Sequence, residues 1–139
     1  MASLGMKGSF PLTKEEIDKQ IPEKVICNYA YGYTKKNSEG KEVFCVKYVG
    51  RADEEPLRDR IKHGIEEGYK EFKFSIAQNK KDAFEKECQN WHDFDGPNGQ
   101  LDNMIHPDKP NGTDYKCPIC EKIEQQKYQL KLERPRFRR

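Results

Sequence analysis

The stretch from Asp82 to Phe94 carries three side chains that can do chemistry: the carboxylate of Glu87, the thiol of Cys88 and the imidazole of His92. At about 100° per residue this stretch predicts an amphipathic helix, and Glu87 falls within its apolar face. A buried and unpaired carboxylate is very costly, so Glu87 must meet a cation, a metal ion or several hydrogen-bond donors. We therefore expect Glu87 to belong either to a functional site or to a buried ion pair, with Arg58 or Arg60 as its partner.

Cysteine and histidine spacing predicts a separate metal site. Cys88 and His92 stand one helical turn apart, and Cys117 and Cys120 form a downstream CxxC pair. Such a two-plus-two set matches tetrahedral zinc, with His106 as an alternative fourth ligand. Four protein ligands leave no open position, so this zinc would be structural. The competing interpretation is that these cysteines are buried free thiols that pack as small hydrophobic residues.

Composition limits the class of protein. The 139 residues suffice for one hydrophobic core, and with 34% hydrophobic and 36% charged residues that core must be thin. A structural metal would supplement such a core. Five cysteines, an odd number, favour metal ligation in a reducing compartment over a disulfide framework. No apolar run reaches the ~18 residues of a membrane span and the N-terminus lacks the apolar core of a signal peptide, so we predict a cytoplasmic protein.

The distribution of charge is more informative than the net charge of +2. The last six residues, from Arg134 to Arg139, include four arginines. Such a segment favours a polyanionic partner, although a solvated tail has the same composition. We interpret residues 125–139 as a helical, basic tail.

Hydrophobic periodicity predicts an α+β fold, an α/β sandwich in which a small three-stranded antiparallel sheet is flanked by helices. We divide the chain into residues 1–22, an N-terminal segment with a short helix; residues 23–124, the main domain with a zinc-stabilised C-terminal extension; and the tail. The predicted elements are a capped helix from Thr13 to Gln20, a hairpin of Val25 to Thr34 and Glu42 to Gly50, a helix with Leu57, Ile61 and Ile65, a strand with Phe72, Phe74 and Ile76, and the helix containing Glu87, capped by Asn79.

Tyrosines recur at defined places in the predicted hairpin. The first strand contains Cys27-Asn28-Tyr29, and the returning strand ends in Tyr48-Val49-Gly50. A following helix carries Arg60, the later helix carries Glu87, and Asn103 lies downstream in Leu101-Asp102-Asn103. This ordered set, between Val25 and Asn103, resembles the GIY-YIG nuclease superfamily. In that comparison Tyr29 matches the tyrosine of the first motif, with Tyr31 as its rival, and Val49 replaces the isoleucine of the second motif.

The helix after the hairpin contains the arginine that the resemblance requires. Leu57, Arg60 and Ile61 reproduce the family's spacing between the arginine and its hydrophobic neighbours, whereas Arg58 is the alternative because it lies nearer the apolar stripe. Many members have a histidine four residues after the arginine, but that position is Gly64 here. The neighbouring His63 is our candidate for this role.

The resemblance implies a Mg²⁺-dependent endonuclease that hydrolyses DNA phosphodiester bonds. Glu87 would bind a Mg²⁺ ion that keeps several waters, Arg60 would contact a phosphate oxygen, and Tyr29 and Tyr48 would hold or deprotonate the attacking water. Because a phenol with a pKa near 10 is a poor base, a neighbouring cation would have to lower that pKa. Asn103 would orient the substrate or support the site. The alternative is a non-catalytic, zinc-stabilised module that binds nucleic acid on the same fold.

Overall fold

The computed structural model describes residues 3–54, 56–103 and 105–124, and between residues 14 and 93 its helices and strands follow the order that the periodicity predicts. The helical and strand bounds are β1 (Lys7–Pro11), α1 (Lys14–Gln20), β2 (Cys27–Lys36), β3 (Glu42–Ala52), α2 (Leu57–Glu66), β4 (Glu71–Ile76) and α3 (Lys80–Asp93), followed by a 3₁₀ turn (Gly96–Asn98). Residues 118–124 are also helical. The predicted basic tail lies outside the described residues.

The sheet has four antiparallel strands in the order β1-β4-β2-β3, one more than the three predicted from sequence. The additional strand, β1, pairs with β4 so that Phe10 lies opposite Phe72. The five residues of β1 include a glycine and a proline, both of which are rare inside strands, so their sequence does not predict a strand. This segment becomes a strand because β4 offers it an unpaired edge.

The sheet lies between two helical layers because successive residues of a strand point to opposite faces. On one face, Tyr29 and Tyr31 join a cluster with residues of α1 and α2, such as Ile17 and Ile61. On the other face, Ala30, Val49 and Leu4 form a second cluster with Trp91 of α3 and Leu101. The predicted α/β sandwich is therefore present. Strand β3 is an edge strand, and both α2 and α3 contact it.

Two helices begin at the caps that the sequence predicts. The Thr13 side chain accepts a hydrogen bond from the amide of Glu16 at the start of α1, and the Asn79 side chain accepts one from the amide of Asp82 at the start of α3. The Asn79 cap sets the start of α3 and with it the positions of Glu87 and His92 along the helix. Among the described residues, no helix combines the length and apolar character that a membrane span needs.

Candidate active site and metal centre

A pocket of about 330 Å³ opens beside strand β3. Five of the six residues that sequence analysis proposed as catalytic line it together: Tyr29, Tyr48, Arg60, His63 and Glu87. The strands supply the tyrosines, α2 supplies the arginine and histidine, and α3 supplies the glutamate. Residues separated by up to 58 positions in sequence therefore meet at one place. The lining also includes Tyr31, Gly50, Arg51, Gly64, Glu67 and Asp108.

Gly50 is required by the ring of Tyr29. The two residues are paired across β2 and β3, and a Cβ atom built on Gly50 would lie 2.5 Å from the tyrosine ring. A side chain at this position would push the phenol out of the pocket. Tyr48, two residues earlier, stacks with Tyr29 at a ring-centroid distance of 6.4 Å. The glycine that ends Tyr48-Val49-Gly50 therefore makes room for the ring of Tyr29, which in turn stacks with Tyr48.

Tyr31, the rival for the first-motif tyrosine, has its hydroxyl engaged elsewhere. It donates a hydrogen bond of 2.7 Å to the backbone carbonyl of Ile61 in α2. Its ring occupies the space above Gly64, where an added Cβ atom would lie 2.4 Å away. A histidine at position 64 would clash with Tyr31, so this ring explains the glycine at the place where the resemblance suggests a histidine.

Burial keeps the pocket phenols protonated. Desolvation raises the pKa of Tyr29 well above its ordinary value, with further increases from Tyr31, Tyr48 and Glu87, whereas Arg60 acts in the opposite direction. Desolvation and Glu87 also raise the pKa of Tyr48. Arg60 does not supply the pKa lowering that the sequence argument required. In this state both phenols are hydrogen-bonding groups and not bases.

The partner of the buried Glu87 is Arg51, a residue that sequence analysis did not single out. The Arg51 Nη1 atom lies 2.5 Å from Glu87 Oε1, and its Nε atom lies 2.8 Å from Asp53 Oδ2. The guanidinium carbon also lies 5.3 Å from the centroid of the Phe84 ring. The expected ion pair therefore exists, but not with Arg58 or Arg60. The sequence shows Arg51 only as an arginine directly after Tyr48-Val49-Gly50. Its pairing with Glu87 could not be predicted, because the two residues are 36 positions apart.

Glu87 is poised between its two charge states. Burial raises the pKa of this carboxyl to about 7, although the charge and hydrogen bond of Arg51 act to lower it. Asp53 adds a smaller increase. Near neutral pH a substantial fraction of Glu87 is therefore ionised, as binding of a hard cation requires.

The raised pKa of Glu87 predicts a pH-dependent stability. Between the ordinary value of 4.5 and about 7 the folded protein binds more protons than the unfolded chain. This carboxyl's contribution is therefore fully present below pH 4.5 and is lost as pH rises through about 7, by roughly 3 kcal/mol. Urea unfolding between pH 4.5 and 7.5 should show a shallower decline for Glu87→Gln than for the native chain. Identical slopes would contradict the raised pKa.

The two candidate arginines of α2 have different surroundings. Arg60 is exposed and lines the pocket. Arg58 instead binds the end of α1, since its Nε and Nη2 atoms donate to the carbonyl of Ile21 at 2.9 and 2.6 Å. Arg58 is therefore a structural residue, as the helix C-terminus attracts a cation. His63 is exposed at the pocket rim.

Asn103 does not line the pocket and instead binds the backbone of Val49, next to Tyr48. Its side chain accepts a hydrogen bond from the Val49 amide at 3.4 Å and donates one to the Val49 carbonyl at 2.9 Å. The adjacent Asp102 amide donates to the Lys47 carbonyl. Residues 102 and 103 thus cover the free edge of β3 on both sides of Tyr48 in sequence. The described geometry gives Asn103 a positioning role.

The metal site is a second cluster at the C-terminal end of α3. Ligand atoms of His92, His106, Cys117 and Cys120 all lie within 4.8 Å of one another. Cys120 Sγ lies 3.5 Å from the Nε2 atom of each histidine. Tetrahedral zinc, with Zn–S of about 2.3 Å and Zn–N of about 2.0 Å, places sulfur and nitrogen ligands roughly 3.5 Å apart. This His2Cys2 cluster can therefore bind a metal such as zinc.

The predicted ligand Cys88 is not in this cluster, and the alternative ligand His106 is. Cys88 is fully buried, and it packs with Phe84 and Cys117 in a small hydrophobic cluster. Helical spacing alone could not distinguish these outcomes, because the loop between residues 95 and 116 decides which side chain completes the tetrahedron. Cys88 follows the small-hydrophobe interpretation.

Hydrogen bonds orient the potential ligands. His106 Nδ1 lies 2.7 Å from the carbonyl of Pro107, so this nitrogen can carry the proton while Nε2 faces the cluster. The Cys120 amide donates to the Cys117 sulfur at 3.4 Å. Partial burial and the neighbouring His106 lower the pKa of His92. A neutral imidazole is the form that binds a metal.

The pocket residues are also compatible with a singly ligated magnesium ion. Within the described residues, Glu87 does not belong to a group of three clustered ligand side chains. Mg²⁺ commonly takes one or two carboxylates and retains water, for which the pocket has room. Arg51 occupies one oxygen of Glu87, so a metal ion would share or displace this contact.

Comparison with known proteins adds no independent assignment. No protein-family model matches the chain, and no curated protein or solved structure matches it.

Proposed function

We propose that this protein is a Mg²⁺-dependent endonuclease that hydrolyses DNA phosphodiester bonds through a GIY-YIG-type site. The observation that carries the proposal is the convergence of Tyr29, Tyr48, Arg60 and Glu87 on one pocket. These residues were selected from their order in sequence, and nothing about that order requires them to share a pocket. Burial of the Glu87 carboxylate, which raises its pKa to about 7, adds support, because strongly shifted carboxyl groups cluster at functional sites.

Each pocket residue has a defined task in this mechanism. Glu87 would hold the Mg²⁺ ion, which supplies charge neutralisation and a polarised water when bound. Arg60 is exposed at the pocket and donates to a non-bridging phosphate oxygen, where negative charge grows in the transition state. Because the pKa values of Tyr29 and Tyr48 are raised, these phenols hold and orient the attacking water by hydrogen bonds. Arg51 keeps part of the Glu87 population ionised.

The His2Cys2 cluster holds structural zinc in this proposal. Its four side chains can supply all four ligands of a tetrahedral zinc ion, which would leave no open coordination position for water or substrate. Zinc there joins α3 to the CxxC segment and to the loop that contains His106. The proposed partners are therefore DNA and two metal ions with different roles.

The two arginines of α2 provide the test of the proposal. We expect Arg60→Ala to reduce Mg²⁺-dependent nicking of supercoiled plasmid by ~10²-fold, because one donor to the transition state is lost. Its melting temperature should stay close to that of the native chain, since the side chain is exposed.

Arg58→Ala is the matched control. This substitution removes the hydrogen bonds to the Ile21 carbonyl and should cost ~1–3 kcal/mol of unfolding free energy. Its nicking rate, measured well below its melting temperature, should resemble that of the native chain. The reverse ranking of the two rates would remove Arg60 from the mechanism.

The contact between Arg51 and Glu87 favours one second candidate, a non-catalytic module that binds nucleic acid. An arginine on the proposed metal ligand neutralises the charge that would attract Mg²⁺. In that case the native chain would retain plasmid in a gel-shift assay, with a strong salt dependence, and would not nick it at any Mg²⁺ concentration. The nicking assay separates the two functions directly.

A further inference from the structure

The metal cluster and the pocket are joined by a very short segment. His106 belongs to the His2Cys2 cluster, and Asp108, two residues later, lines the pocket with Glu87 and Arg60. Outside the 3₁₀ turn at Gly96–Asn98, the described residues between α3 and the CxxC pair have no helix or strand. A loop of this length needs another anchor to hold a side chain at a defined place. The position of Asp108 therefore depends on the residues that cluster around His106.

A second connection runs through Trp91. Its ring makes edge contacts with His92 and His106, at centroid distances of 5.1 and 5.0 Å. Its Nε1 atom donates a hydrogen bond to the carbonyl of Asn103, whose side chain holds the Val49 backbone. The histidines of the cluster thus contact a chain of side chains that ends next to Tyr48.

We propose that metal binding at the His2Cys2 cluster assembles the catalytic pocket, and that it does so by placing Asp108 where its carboxylate attracts the divalent cation held by Glu87. The inference rests on the proposed function, because it concerns the cation of the same site. Asp108 is a positioning residue: an Mg²⁺ ion that keeps its waters gives a nearby carboxylate hydrogen-bond donors to accept from. Zinc bound to the cluster would fix the segment that contains His106 and thereby hold the Asp108 carboxylate at the pocket.

Zinc-loaded protein should bind Mg²⁺ more tightly than zinc-free protein. The test is calorimetric titration with Mg²⁺, a hard ion that avoids sulfur and nitrogen ligands and so does not occupy the empty cluster. In the zinc-loaded form, Asp108→Asn should weaken Mg²⁺ binding about fivefold, as expected for one nearby charge in a solvated pocket. Asp114→Asn, an exposed carboxylate of the same loop that does not line the pocket, should bind as the native chain does.

The decisive comparison is the effect of Asp108→Asn after zinc removal by a chelator. Without zinc the Asp108→Asn substitution should change Mg²⁺ affinity little, because Asp108 would no longer be held at the pocket. Hydrogen exchange at residues 105–109 should also be slower with zinc than without it, which is a readout independent of catalysis. The equal exchange of this segment in both forms would overturn the inference.

The outcomes separate this inference from the proposed function. Mg²⁺ binding that is lost in Glu87→Gln, but is unaffected by zinc removal and by Asp108→Asn, overturns the coupling and leaves the nuclease proposal standing. Mg²⁺ binding that is unchanged in Glu87→Gln overturns both. The coupling is supported if Asp108→Asn weakens Mg²⁺ binding fivefold in zinc-loaded protein but not in zinc-free protein.

Discussion

Replacement of Glu87 by glutamine should abolish Mg²⁺-dependent nicking, with a rate loss of several orders of magnitude. The amide keeps the size and shape of the side chain but has no negative charge for a hard cation. Positioning and charge neutralisation by a metal ion together supply much of the catalysis of phosphoryl transfer, so few other residues of the pocket can compensate.

The same substitution should leave the protein folded. Arg51 loses its partner in Glu87 but keeps its 2.8 Å contact with Asp53, so the variant should still unfold cooperatively. Glu85→Gln, two residues away on the same helix and outside the pocket, is the control and should cleave at the native rate. Full activity of Glu87→Gln would remove the mechanism proposed for this pocket.

Replacement of His106 by alanine should release the zinc ion. Native protein purified without chelator should contain about one zinc per chain, and loss of one of four ligands should bring the dialysed variant close to none. We expect zinc binding to order the loop after α3, and this contribution to the free energy of folding would then be lost. Trypsin should cleave after Lys116 in the variant while the hairpin of β2 and β3 stays protected.

Cys88→Ala is the informative partner of this experiment. Cys88 packs against Cys117 but lies outside the group of four clustered side chains, so this variant should retain its zinc. Emission from Trp91, the single tryptophan, reports the state of the site because its ring contacts both histidines. Zinc loss in Cys88→Ala with zinc retained in His106→Ala would show that the ligand set is wrong.

Sequence alone predicted the elements that depend on local interactions. These elements are the capped helices that begin after Thr13 and Asn79, the hairpin with its alternating residues and the helix that contains Leu57 and Ile61. Each is determined by interactions within a few residues, so one sequence is enough to predict it. Glu87 was also visible, because a carboxylate in an apolar helical face is a local anomaly. The structure buries it as expected.

The tertiary structure decided everything that depends on contacts between distant residues. Strand β1 exists because β4 had a free edge, Arg51 reaches Glu87 across 36 positions, and His106 takes the ligand place predicted for Cys88. In each case several residues could have made the contact, and their spacing along the chain does not show which of them does. The pairing of Tyr31 with Gly64 belongs here too, because only the packing of β2 against α2 shows that the ring fills the space of a side chain.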